Sequence, residues 1–161
     1  MEYIIRKMNE NDFKQVQQVA TTSWHDTYDG IIPLNIQDNF LKLAYNDSQL
    51  QNRLDRSIFF VAEVDGKIVG FANYSYSKEK GMVELISIYL LKEYQGKGIG
   101  TSLLNEAIDT IEGMREIYVN VEKENTTGIT FYQAKGFKII SAFDDDFDGH
   151  LLKTVRMVLN V

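Results

Sequence analysis

Gly96, Gly98 and Gly100 put three glycines in five positions. They follow the apolar run Met82 to Leu91 and precede Leu103, Leu104, Ala107, Ile108 and Ile111, which mark one face of a helix. A strand, a glycine turn and a helix in that order let the backbone pass close to a ligand and aim several N–H groups at one point. With a helix N-terminus behind them, those donors suit an anionic phosphate. A tight turn with no ligand uses the same glycines, so the cluster alone leaves both readings open. The Walker pattern Gly-x-x-x-x-Gly-Lys-Ser/Thr is absent, and Gly96-x-Gly98-x-Gly100 is not the G-x-G-x-x-G of dinucleotide sites. A different phosphate ligand is needed.

Other chemistries are narrowed by composition. The 161 residues contain no Cys, which excludes disulfides, cysteine nucleophiles and thiolate zinc sites, and only two His, at positions 25 and 150, which argues against a multi-histidine metal site. The stretch Asp144-x-Asp146-x-Asp148-Gly149 copies the first half of a calcium loop, but Val155 stands where a bidentate Glu belongs. No metal is expected, and the aspartates read as a solvated hairpin loop with polycation attraction as the alternative. His25 and His150 read as ordinary surface or loop residues. A net charge of −6 argues against broad binding to nucleic acid and favours cationic or amine partners. No apolar run approaches the roughly 20 residues of a membrane span, and MEYIIRKMNEND is not a secretory leader. A cytoplasmic protein without membrane or nucleic-acid partners is expected, folded as a single domain over 1–161.

Elements able to position the glycine turn can be read along the whole chain. Tyr3 to Arg6 is a short strand, and Asn9-Glu10-Asn11-Asp12 caps a helix carrying Phe13, Val16, Val19 and Ala20. After the Gly30-Ile31-Ile32-Pro33 connector, Ile36, Phe40, Leu43 and Ala44 mark a second helix, and Asp47-Ser48 is the expected cap of a short third one reaching Leu54. Ile58 to Ala62 and Lys67 to Tyr76 flank Asp65-Gly66, a two-residue hairpin signal. Ile117, Val119 and Val121 alternate as a strand, and Asn125 opens a helix that ends at Gly136. Two last strands run near Phe137 to Phe143 and Leu151 to Leu159. The total is an α/β (α+β) layered domain of about seven strands and about four helices.

Two segments carry a resemblance. Gln95-Gly96-Lys97-Gly98-Ile99-Gly100 resembles motif A of the GNAT superfamily of N-acetyltransferases, Q/R-x-x-G-x-G/A after a strand. Asn125 to Phe137, NTTGITFYQAKGF, is similar to that family's second signature, N-x-x-A-x-x-F-Y-x-x-x-G-F, with Gly128 in place of the usual Ala. Lys92 replaces a common Pro before the turn. The element order agrees over nearly the whole chain. The resemblance implies a GNAT-like fold with a mixed, mostly antiparallel sheet and acetyl-CoA as cosubstrate. It places the backbone of Ile88, Tyr89 and Leu90 along the pantetheine arm and the amides of Gly96, Lys97, Gly98, Ile99, Gly100 and Thr101 around the pyrophosphate. Asn125 would reach the pantetheine through its side chain, Tyr132 would sit near the thioester sulfur, and the Leu90 N–H would polarise the thioester carbonyl.

Transfer to an amine needs a base, because alkyl ammonium groups lose their proton only near pH ~10. Glu84 lies six residues before Leu90 on one strand, so a two-residue period places both on one face, and similar GNAT enzymes carry a catalytic Glu there. Glu84 is the expected base, acting through water, with a plain solvated strand position as the alternative. Tyr132 is the expected acid for the departing thiolate, or else a packed aromatic. Where ribosomal-protein acetyltransferases of this superfamily carry a Glu, this chain has Asn120, which accepts no proton and weakens a protein amine as acceptor.

The amino-terminal third, including Trp24-His25-Asp26-Thr27-Tyr28, resembles the bacterial spermidine/spermine N-acetyltransferases. That implies a polyamine acceptor with Trp24, Tyr28 and Glu84 at its site, the two aromatics being otherwise helix core. Protein or peptide amines, aminoglycosides and amino acids are the alternative acceptors, and a CoA-binding sensor without turnover is the non-enzyme alternative. Many similar proteins pair through sheet edges or helices, so a homodimer stays open.

Overall fold

The capping signals and hairpin signals resolve into a single sheet with helices on both faces. The computed structural model describes residues 1–161. Strand β1 (Ile4–Lys7) leads through a 3-10 turn, Glu10–Asp12, into α1 (Phe13–Tyr28), α2 (Leu34–Ala44) and α3 (Asp47–Arg56). Then come β2 (Ile58–Val64), β3 (Lys67–Tyr76), β4 (Met82–Leu90), α4 (Ile99–Thr110), β5 (Glu116–Glu122), α5 (Thr126–Ala134), β6 (Lys138–Phe147) and β7 (His150–Asn160). Five helices form, against a count of about four; the short third one is capped by Asn46, which accepts the Gln49 N–H, and not by the expected Asp47-Ser48, and it runs on to Arg56.

The sheet order is β1-β2-β3-β4-β5-β7-β6. Every neighbouring pair is antiparallel except β4 and β5. Asp65-Gly66 makes the expected two-residue turn between β2 and β3, both residues at positive φ as a primed turn requires. Asp148-Gly149 does the same between β6 and β7. Asp144, Asp145 and Asp146 therefore stand in strand β6, which corrects the expected acidic loop. An edge strand exposed along nearly all its length keeps those carboxylates hydrated, and Asp144 lies opposite Lys153.

Residues that pair across the ladders share a face, which sorts the core into two layers. Phe59, Phe71 and Tyr89 face α1, where Tyr89 meets Trp24. Phe60 and Tyr74 face the other side, where the buried Tyr74 hydroxyl donates to the Leu103 carbonyl of α4 at 3.1 Å. Each such phenylalanine contributes about 1.5–3 kcal/mol through burial. At the entry to α1, Asn9 and Asp12 form a reciprocal capping box, and Arg6 grips both Asp12 oxygens at 2.8 Å. Burial alone would raise the Asp12 carboxyl, but the bonds from Arg6 and the Asn9 N–H outweigh it and hold the group below its ordinary value.

Two irregularities in β4 shape the centre of the sheet. Its parallel ladder with β5 covers only Met82–Leu85 against Glu116–Val119. Beyond it β4 continues on β3 to Leu90 and β5 on β7 to Glu122, so the two strands open into a V. The second is a bulge at Ile86: Asn73 pairs with Ser87, but Tyr74 pairs with Leu85.

Candidate active site

The bulge resets which side chains share a face. Ser75 opposes Glu84 and Phe71 opposes Tyr89, whereas Tyr74 opposes Leu85 and Gly70 opposes Leu90. Glu84 thus lies on the α1 face with Ser87 and Tyr89, and Leu90 lies on the α4 face. The expectation that Glu84 and Leu90 share a face is corrected, because one extra residue inverts a two-residue period.

At the open end of the V, Leu91 donates its N–H to Val69 at 2.9 Å. Strand alternation then turns the N–H groups of Leu90 and Ile88 away from β3, into the gap. The Leu90 carbonyl is taken by Gln95 Nε2 at 3.1 Å, which ties the glycine turn to the strand. Gly96 and Gly98 adopt positive φ, and Gly98 caps α4 in the left-handed conformation. From Gly96 through Lys97, Gly98, Ile99 and Gly100 to Thr101, no backbone N–H finds a partner within the chain; the first bond of the helix is Ser102 N–H to Gly98 at 3.0 Å. A run of free donors at a helix N-terminus fits a pyrophosphate. Gly100 has a different role, since a Cβ there would lie 3.1 Å from the Phe131 ring of α5. It lets α5 close on α4 and needs no ligand to account for it.

Asn125 caps α5, its Oδ1 accepting the Gly128 N–H at 3.0 Å. Tyr132, on the same helix, is buried against Phe131 and Phe137. Burial raises its phenol far above the usual value, with a further push from Tyr28. Tyr28 and Tyr89 are raised by burial as well, and their hydroxyls meet at 3.3 Å.

Glu84 does not stand free. Arg156 of β7 reaches across the Tyr118 ring, 4.7 Å from its centroid, to both Glu84 oxygens, and also donates to Asn120 Oδ1 at 3.0 Å. Trp24 and Tyr28 lie in the core: Trp24 packs on Phe40, Tyr28 and Phe147 at 4.5, 4.5 and 6.0 Å, and its indole N–H has no partner. They back the α1 face of the V. His25 pairs with Asp38 at 2.8 Å and His150 with the Ile31 carbonyl, far apart in role. Sequence reasoning missed Arg156, the Tyr89 side chain and Glu122. A lone arginine between Val155 and Met157 in an apolar strand was the available signal for the first.

Known proteins share the fold. Residues 15–137 match the Acetyltransferase (GNAT) family. A spermidine N(1)-acetyltransferase of Thermoplasma acidophilum is 32% identical over 151 residues, 89% of this chain and 92% of that protein. The uncharacterised N-acetyltransferase YuaI of Bacillus subtilis is 29% identical over 158 residues, 95% of this chain and 90% of that one. Among solved structures, the PaiA N-acetyltransferase of Thermoplasma acidophilum in complex with coenzyme A superposes with a TM-score of 0.86 at 28% identity, each chain covered in full. The chain belongs to the GNAT family of N-acetyltransferases, acyltransferases that draw on acetyl-CoA.

Proposed function

We propose that the acceptor is a primary amine of a small molecule, a polyamine of the spermidine type first. The spermidine N(1)-acetyltransferase that this chain is similar to supports it, as do the net charge of −6 and the carboxylates on the α1 face. The observation that carries the reading is the open V: free strand N–H groups on one edge, and Glu84 with aromatic side chains on the face above.

Acetyl-CoA supplies an activated acetyl group and a thiol that leaves. The amides from Gly96 to Thr101 would hold its pyrophosphate, and the Ile88 and Leu90 backbone its pantetheine arm. The Leu90 N–H polarises the carbonyl by donating a hydrogen bond. Glu84, acting through a water, takes a proton from the amine; a carboxylate offers about four lone-pair directions, so the two bonds from Arg156 leave room for it. The buried Tyr132 phenol keeps its proton across the neutral range and can give it to the departing sulfur.

Release of CoA, measured with acetyl-CoA against spermidine, spermine, simple diamines, aminoglycosides and N-terminal peptides, tests this. Saturable turnover with polyamines is the expected result. Turnover with peptides alone overturns the small-amine acceptor, and acetyl-CoA binding with no turnover on any amine overturns the catalytic roles.

A further inference from the structure

Glu122 is the last residue of β5 and is only 8% exposed. Its Oε2 accepts the Glu124 N–H at 2.6 Å. The ion pairs of the chain lie elsewhere, Arg6 with Asp12 and Glu63 and Arg156 with Glu84, and His25 meets Asp38. No basic side chain of this chain lies within ion-pair distance of the Glu122 carboxylate, so its charge is free to meet a cation from outside.

Its place is specific. Glu122 lies opposite Thr154 and Asn120 opposite Arg156, so alternation sets Glu122 on the face of Asn120 and Tyr118. Tyr118 lies opposite Glu84 across the short parallel ladder, which makes this the α1 face. Glu122 stands four residues past Tyr118, where β4 and β5 have parted. The Tyr28 hydroxyl, bonded to Tyr89, is close enough for the Glu122 charge to raise its phenol further. The Glu122 carboxylate therefore stands at the open end of the V, in front of the buried Tyr28–Tyr89 hydroxyl pair, as an acceptor for an ammonium. Of the carboxylates this face brings to the V, Glu84 already has a cation.

We infer that Glu122 binds a protonated nitrogen of the acceptor and so selects amines carrying a second positive charge. This rests on the small-amine reading above.

Glu122→Gln separates the charge from the turn, because the amide oxygen still accepts the Glu124 N–H. Steady-state kinetics with spermidine are expected to show KM for the amine rising about 10- to 100-fold, the loss of a charged hydrogen bond, with KM for acetyl-CoA and kcat nearly unchanged and an unaltered melting curve. Glu122→Asp recovers part of the loss. If Glu122→Gln does not fold, Thr154→Lys supplies an internal cation opposite Glu122 and should raise the same KM. Unchanged KM for spermidine in a variant that turns it over overturns this inference alone, as does a rise confined to acetyl-CoA. Absence of turnover with every amine by the unaltered protein overturns both it and the proposed function.

Discussion

Arg156 reaches from β7 over the Tyr118 ring of β5 to hold Glu84 on β4. The pair spans three strands at the level where the V begins, and it fixes the direction of the carboxylate proposed as base. Both side chains remain about a third exposed, at 27% and 33%, so the pair adds little to stability. Its effect belongs to geometry. Arg156→Gln should lower kcat by about 10- to 100-fold through misplacement of Glu84, leave KM for acetyl-CoA unchanged, and move Tm by less than about 3 °C. Glu84→Gln should cost about 100-fold or more at pH 7 and less at pH 9, where more of the amine is already neutral. An equal loss at both pH values removes Glu84 from proton transfer.

Burial pushes four phenols upward: Tyr28, Tyr74, Tyr89 and Tyr132. The folded chain holds these protons more tightly than the unfolded chain, so their contribution to stability is complete below the ordinary tyrosine value and is lost as pH rises above about 10. Tm should fall through that window, and Tyr132→Phe, which removes one of the four, should fall less steeply. The same variant should lose kcat by a factor that is constant from pH 7 to 9, since the phenol stays protonated throughout, while CoA affinity changes little. A loss of CoA affinity in place of kcat assigns Tyr132 to binding.

Legibility of this site in the sequence tracks the range of the forces involved. Asp65-Gly66, the Asn9 cap and the glycine turn after β4 are local, set by a few dihedrals and one or two hydrogen bonds, and each is legible residue by residue. The face of Glu84 is not local. It depends on Ile86 being bulged against β3, a pairing made across the sheet, and a two-residue count along β4 alone gives the wrong side. Arg156 and Glu122 are hidden for the same reason: Arg156 meets the V only through the β5–β7 register, and the face of Glu122 follows only from the short β4–β5 pairing. Trp24 and Tyr28 are visible as aromatic residues one helical turn apart, but spacing cannot separate a residue that lines a site from one that supports it from behind.

Gly128 stands where the family signature carries Ala, and the structure gives a reason. A Cβ there would lie 2.7 Å from Asn125 Nδ2 and 3.0 Å from its Cγ, so the glycine makes room for the asparagine that caps α5. Gly128→Ala sets two effects against each other. Alanine favours the helix by about 1 kcal/mol, and the displaced cap costs about 1 kcal/mol. Tm should therefore shift by only a few degrees in either direction. If Asn125 also holds the pantetheine, as the family resemblance implies, KM for acetyl-CoA should still rise several-fold because its amide moves with the cap, and Asn125→Ala should show the same rise with a clear loss of Tm. If KM stays unchanged in both variants, Asn125 acts as a helix cap alone, and the cofactor is held by the backbone amides of the glycine turn and β4.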